Sequence, residues 1–172
     1  MEGVYLYFVT FTIIDWLPIF INPEPVGIIN ESMRYCINNK GLRIHAYVIM
    51  PNHVHLIVYD ANCDNDNLGK TLTNLRKFTG KNLANIIDNT LAKSLSSVIR
   101  SKTLTDRIRQ VWQRGWHAEG LVSDTFLHQK MTYIHENPVR KGFVKLPEHW
   151  IHSSAAYWIN EGEGEIPIDP FV

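Results

Sequence analysis

The hydrophobic and polar positions fall into segments of two periods. Residues 4–12 (VYLYFVTFT) are dense in aromatic and β-branched side chains and predict a strand. Pro18, Pro23 and Pro25 mark a loop, after which Val26, Ile29, Met33, Cys36 and Ile37 recur at helical spacing over residues 26–39. The run Asn38-Asn39-Lys40-Gly41 then supplies a helix stop. Two strands follow, over 43–50 and 53–59, joined by the tight Pro51-Asn52 connection. A polar loop over 60–67 leads into a long helix over 68–91. Its apolar side is formed by Leu68, Leu72, Leu75, Phe78, Thr79, Leu83, Ile86 and Ile87. Residues 109–116 read as a short strand. Asp124 is a candidate N-cap for a helix over 125–137, which Pro138 should end by disfavouring helical geometry at Asn137. The order strand, helix, strand, strand, helix, strand, helix is an α+β pattern, and its simplest packing is a ferredoxin-like antiparallel sheet covered by helices.

Composition adds bounds. At 172 residues, with 45% hydrophobic and 20% charged residues, the chain is one globular domain with a real core. Residues 1–158 form the predicted domain, and 159–172 an acidic, Pro- and Gly-containing tail expected to be mobile. No apolar run approaches the roughly 18 to 20 residues of a membrane-spanning helix, and no secretory leader is visible. Two cysteines without CxxC spacing fit a reducing cytoplasm. The net charge of zero hides a strong asymmetry. Residues 1–67 carry 3 Lys/Arg against 7 Asp/Glu, residues 68–116 carry 10 against 2, and residues 117–172 carry 4 against 8, giving −4, +8 and −4. A cationic middle is the footprint expected for a polyanion, and equally that of a solvated helix face.

Two constellations carry chemistry. On a strand, alternation places His53, His55, Ile57 and Tyr59 on one face and Val54, Leu56 and Val58 on the other. Two imidazoles then stand roughly 7 Å apart at Cα, suited to one metal ion, with His45 expected nearby on the preceding strand. An HxH pair is also compatible with two unrelated surface histidines. On the last helix, Leu127, Met131 and Ile134 form the inward stripe. Tyr133 lies off it, free to reach a substrate, with Asn137 on the same side four residues on. The plainer alternative is a packing tyrosine followed by a helix-capping asparagine. Taken together, a metal held by two histidines and an amide leaves positions for phosphate oxygens. A tyrosine beside it can attack a phosphodiester and conserve the bond energy in a covalent intermediate.

Three blocks carry a family resemblance. His45-Ala46-Tyr47-Val48-Ile49-Met50-Pro51-Asn52-His53-Val54-His55-Leu56-Ile57-Val58 resembles the His-hydrophobic-His region of the HUH single-tyrosine transposases. Val111-Trp112-Gln113-Arg114-Gly115-Trp116-His117 and Tyr133-Ile134-His135-Glu136-Asn137-Pro138-Val139-Arg140-Lys141-Gly142-Phe143-Val144 resemble later blocks, the last being especially similar to REP-associated tyrosine transposases. The resemblance covers residues 4–158 in order. It implies a ferredoxin-like fold, with His53 and His55 as metal ligands and Tyr133 as nucleophile. It also implies cleavage of single-stranded hairpin or palindromic DNA through a 5′-phosphotyrosine, with Mg²⁺ or Mn²⁺ and no ATP. Insertion-sequence relatives place a glutamine where this chain has the shorter Asn137, the candidate third ligand. Such enzymes act as monomers or homodimers.

For grip on DNA, Lys70, Arg76, Lys77, Lys81, Arg107, Arg109 and Arg114 are candidate phosphate contacts, as are Arg140 and Lys141 after the last helix. Trp112, Trp116 and Tyr47 are candidates for base stacking, with core burial the alternative for the tryptophans. Two other activities stay open: a water-using metal-dependent nuclease in which Tyr133 only positions, and a hairpin-binding protein without turnover. Glu161, Glu163 and Glu165 are placed to mimic phosphates if the tail covers the site, in which case deleting 159–172 raises cleavage.

Overall fold

A computed structural model describes residues 5–90 and 110–170. Strand β1 spans Tyr7–Thr12, helix α1 Pro23–Lys40, strand β2 Leu42–Met50, strand β3 His53–Asp60 and helix α2 Asn65–Thr90. Strand β4 spans His117–Gly120, helix α3 Asp124–Arg140 and helix α4 Ala155–Asn160. The four strands form one sheet in the order β2-β3-β1-β4, with all three pairings antiparallel. Two crossovers, β1-α1-β2 and β3-α2-β4, interleave in this order, which is the ferredoxin-like arrangement the sequence predicts.

Each face of the sheet has its own apolar layer. Val9 and Phe11 of β1 and Val54, Leu56 and Val58 of β3 pack with Val26, Ile29 and Met33 of α1 and Leu68, Leu72, Leu75 and Leu83 of α2. On the other face Phe8, Val48, Met50 and Ile57 pack with Ile134, and Leu127 and Met131 of α3 lie against them. The helices α1 and α2 therefore cover one side, and α3 covers the other. Strand β2 serves both layers through a register shift between Ile44 and Ala46. The extra residue there is His45, and it reverses the phase of the strand, so Ile44 faces the first layer and Ala46 the second. Gly41, at φ 73, closes α1 in a left-handed cap that donates its N–H to Cys36 O, a conformation glycine adopts without a Cβ clash.

Several expectations change. The residue capping α3 is Ser123, whose hydroxyl accepts from Phe126 N at 3.3 Å, and not Asp124. The helix does not stop at Asn137. Pro138 lies inside it and the helix runs to Arg140, because only the N–H of Pro138 is lost and Lys141 N and Phe143 N still find Asn137 O and Pro138 O. Over 109–116 the described residues give only an isolated bridge between Trp112 and Ile13, and the edge strand is His117–Gly120 instead. Phe78, expected on the inward side of α2, is 61% exposed. Tyr47 and Trp112 are buried in the first apolar layer, which removes them as base-stacking platforms. Trp112 Nε1 donates to Thr79 Oγ1 at 3.1 Å. Trp116 packs its edge on Phe11 against the same layer.

The acidic tail is packed against the fold as far as residue 170. Residues 150–169 run along the outer edge of β2: Ile49 N donates to His152 O, Ser154 N to Tyr47 O and Asp169 N to Ile44 O. Ile166 is 1% exposed within the first apolar layer. Glu165 bonds His152 Nδ1 at 2.8 Å through its carboxylate and accepts from Arg34 through its carbonyl. Asp169 pairs with Arg43 Nε at 3.0 Å and accepts from Tyr59 Oη at 2.8 Å. The segment thus seals an otherwise open sheet edge. No helix among the described residues is long and apolar enough to cross a membrane. Replacing Ile166 with Ala should destabilise the domain by about 2–5 kcal/mol in urea unfolding. A loss below about 1 kcal/mol would show that the tail is not part of the core.

Candidate active site

The second face of the sheet gathers the chemistry. Because Val54, Leu56 and Val58 are committed to the helices α1 and α2, the alternation of β3 turns His53 and His55 to the side of α3. Their ring centroids are 4.6 Å apart. Register pairs Thr10 with His55 and Thr12 with His53 across β1, and Val48 and Met50 with the same two residues across β2. His45 is therefore not beside the pair as expected. It lies at the bulge further along β2, buried against Trp158 at 4.8 Å between ring centroids.

Each imidazole has its Nδ1 engaged by the protein. His55 Nδ1 lies 2.8 Å from Thr10 Oγ1, and His53 Nδ1 lies 2.6 Å from Asn52 Oδ1. Burial pushes His53 down to about 4, with Lys141 adding to the effect. Burial pushes His55 down to about 3, helped by His53, Lys130 and Arg140. Both rings are thus neutral at physiological pH and keep Nε2 for another partner, which is the form in which imidazole binds metals. Among the described residues no group of three or more His, Cys, Asp and Glu side chains gathers as a metal site. The nitrogen donors here are two neutral imidazoles, a donor type that suits a divalent transition-metal ion. Asn137 of α3, expected as a third ligand, is buried at 4% exposed.

Tyr133 stands at the edge of this pair. Its ring meets His55 at 5.3 Å and Phe8 at 6.0 Å between centroids, both edge-on, while the residue is 41% exposed. The stripe of Leu127, Met131 and Ile134 faces the sheet as predicted, which fixes Tyr133 off it. Since α3 continues to Arg140, Tyr133 sits two turns from the helix end and not in its last turn. Arg140, seven residues on, folds back over it. Its Cζ lies 4.6 Å from the Tyr133 ring centroid, and its Nη2 donates to Tyr133 O at 2.8 Å.

The predicted DNA-contacting cations divide. Arg140 is at the site. Lys70, Lys77 and Lys81 belong to α2, on the opposite layer of the sheet from His53, His55 and Tyr133. Lys70 lines a groove between α1 and α2. Arg76 is turned into the fold, where its Nη2 donates to Gln113 O at 2.6 Å and its Cζ lies 5.4 Å from the Phe11 centroid. Arg114 is exposed on the loop before β4, 3.5 Å from Gln110 Oε1. Arg107 and Arg109 lie outside the described residues.

One cation is new. Lys130 on α3 lies 4.6 Å above the Phe8 ring and 5.1 Å from the Phe126 ring, and pairs with Glu119 on β4 at 2.5 Å. Its spacing three residues before Tyr133 was the only sequence signal for it.

No family model matches the sequence, and no curated protein matches it either. The fold belongs to the α+β class with a ferredoxin-like sheet, and solved structures share it. One is a REP-associated tyrosine transposase bound to a REP hairpin, matched with a TM-score of 0.64 at 14% identity over 98% of this chain and 88% of the other. A Deinococcus radiodurans R1 protein described as a candidate transposase matches with a TM-score of 0.50 at 16% identity, over 80% of this chain and 94% of the other. The chain therefore shares its fold with both of these structures.

The depressed histidines set a pH dependence for stability. Their folded values lie below the unfolded value near 6.5, so the unfolded chain binds more protons at mildly acid pH. Stability is fully present above about pH 6.5 and falls as the pH drops towards the folded values of about 4 for His53 and about 3 for His55. His135, buried and also held near 4, acts in the same direction. Urea unfolding of metal-free protein at pH 7.5 and pH 5 should show this loss, reduced in His55→Asn. Equal stability at the two pH values would contradict the burial assigned to these rings.

Proposed function

We propose that this chain is a transposase-like endonuclease and strand transferase of the REP-associated tyrosine type. Its substrate is single-stranded DNA with hairpin or palindromic structure, cleaved and rejoined through a 5′-phosphotyrosine on Tyr133. The observation that carries the reading is the packing of a part-exposed tyrosine against a neutral HxH pair, at 5.3 Å from His55. The fold shared with a hairpin-bound tyrosine transposase supports it, as does the order of the three sequence blocks.

In this scheme Tyr133 Oη forms a bond to phosphorus and the bond from phosphorus to the 3′-oxygen breaks. The tyrosine proton passes to solvent and the departing 3′-oxygen takes one up. One phosphodiester replaces another, so the reaction needs no ATP, and a 3′-hydroxyl attacking the phosphotyrosine reverses it. His53, His55 and Asn137 would hold Mg²⁺ or Mn²⁺, which when bound neutralises charge on the scissile phosphate. Arg140 steadies Tyr133 through its contacts with the ring and the backbone carbonyl and, with Lys130 and Lys141, supplies the local positive charge for the DNA backbone. The enzyme would work in the cytoplasm, as a monomer or homodimer.

The test is incubation with labelled single-stranded hairpin DNA and Mn²⁺, followed by a denaturing gel. Wild type should give a covalently shifted band that disappears in Tyr133→Phe. Equal cleavage by both proteins without an adduct would instead establish a water-using nuclease, and binding without cleavage across a hairpin panel would establish a binding protein.

A further inference from the structure

The asparagine before the HxH pair has a geometry that its place in a turn does not require. Asn52 Oδ1 lies 2.6 Å from His53 Nδ1, and Asn52 Nδ2 donates to Trp16 O at 3.3 Å. A carbonyl oxygen only accepts, so the Trp16 contact demands the N–H₂ end of the amide. Flipping the carboxamide would set two carbonyl oxygens against each other. With the amide held this way, Oδ1 faces the ring, and a short contact there is bonding only if His53 Nδ1 carries the hydrogen. Nε2 then carries the lone pair. The partner of His55 differs in kind, since the Thr10 hydroxyl can donate or accept and does not by itself choose a tautomer.

The turn presenting the Trp16 carbonyl is unusual. Asp15 and Trp16 have φ of 53 and 57, left-handed conformations that residues with a side chain rarely take. Burial of Trp16 does not explain this, because its side chain is 60% exposed. The turn is instead locked to the β2–β3 connection through its backbone, with Ile13 N donating to Asn52 O and Phe20 N to Pro51 O, both at 2.9 Å.

We propose that Asn52 is a positioning residue. Oriented by the Trp16 carbonyl, it holds His53 as the Nδ1–H tautomer and so presents Nε2 as a ready metal-ligand nitrogen. The metal part of this inference rests on the proposed function, and the tautomer does not. Partners of this kind fix ring orientation and ligand basicity at metal sites, and removing them costs about 10–100-fold in metal affinity.

The experiment combines long-range ¹H–¹⁵N NMR of the histidine rings in the metal-free protein at pH 7.5 with Mn²⁺ titration calorimetry. Wild type, Asn52→Leu and Asn52→Asp are compared. Wild type should show His53 as Nδ1–H. Asn52→Leu should shift the ring towards Nε2–H and weaken Mn²⁺ binding by about 10–100-fold. Asn52→Asp keeps an acceptor for Nδ1 but loses the donor to Trp16 O, so it should retain the tautomer with an affinity between those of wild type and Asn52→Leu. A wild-type His53 in the Nε2–H form, or an Asn52→Leu protein with unchanged tautomer, would overturn the proposal. The Nδ1–H form without any Mn²⁺ binding by wild type would overturn the metal reading of the site while upholding the tautomer assignment.

Discussion

The alternation of side chains along β3 is the constraint on which the rest of the structure depends. Val54, Leu56 and Val58 are each at most 1% exposed beneath α1 and α2. Their burial leaves His53 and His55 only the opposite face. A slip of one residue would drive both imidazoles into the apolar layer, so the same hydrophobic burial that stabilises the sheet also sets the direction of the histidine pair. Strand β3 lies inside the sheet, with β1 and β2 on its two sides. It therefore receives neighbours from both, and Phe8 and Thr10 arrive beside His55 by register alone.

Charge is arranged by layer and not by stretch of sequence. The strongly cationic middle of the chain puts Lys70, Lys77 and Lys81 on α2, away from the histidines. The positive charge near the histidines comes instead from α3 and the residue after it, within the segment 117–172 whose net charge is −4. Lys130, Arg140 and Lys141 are the cations that depress the two imidazoles, after burial itself. Of the carboxylates on β4 and the tail, Glu119 pairs with Lys130 itself, Glu165 with His152 and Asp169 with Arg43. The tail is therefore an edge seal for β2, and phosphate mimicry over the site finds no support in its contacts.

Much of this was legible in the sequence because it depends on periodicity. The period of two in β3, the helical spacing of α1 and α2, and the inward stripe of α3 each follow from burying one face. Together they place His53, His55 and Tyr133 on one side. Features decided by tertiary contact were not legible. The helix α3 passes Pro138 because the surrounding carbonyls find other donors, and that extension is what brings Arg140 back over Tyr133. His45 is displaced by a bulge that its own sequence does not mark. Tyr47 and Trp112 look alike to exposed stacking aromatics until the packing of the first layer is known. Lys130 needs the positions of Phe8 and Glu119, more than a hundred residues apart in sequence, before it has any meaning.

In the proposed reaction Tyr133 becomes covalently joined to the 5′ end of cleaved DNA, and mass spectrometry on the reacted protein reads that bond. After reaction with hairpin DNA and Mn²⁺, nuclease trimming and proteolysis, one modified peptide should appear, carrying a nucleotide phosphate on Tyr133. Cleaved DNA with every Tyr133 peptide unmodified, or the nucleotide on a different residue, would contradict it.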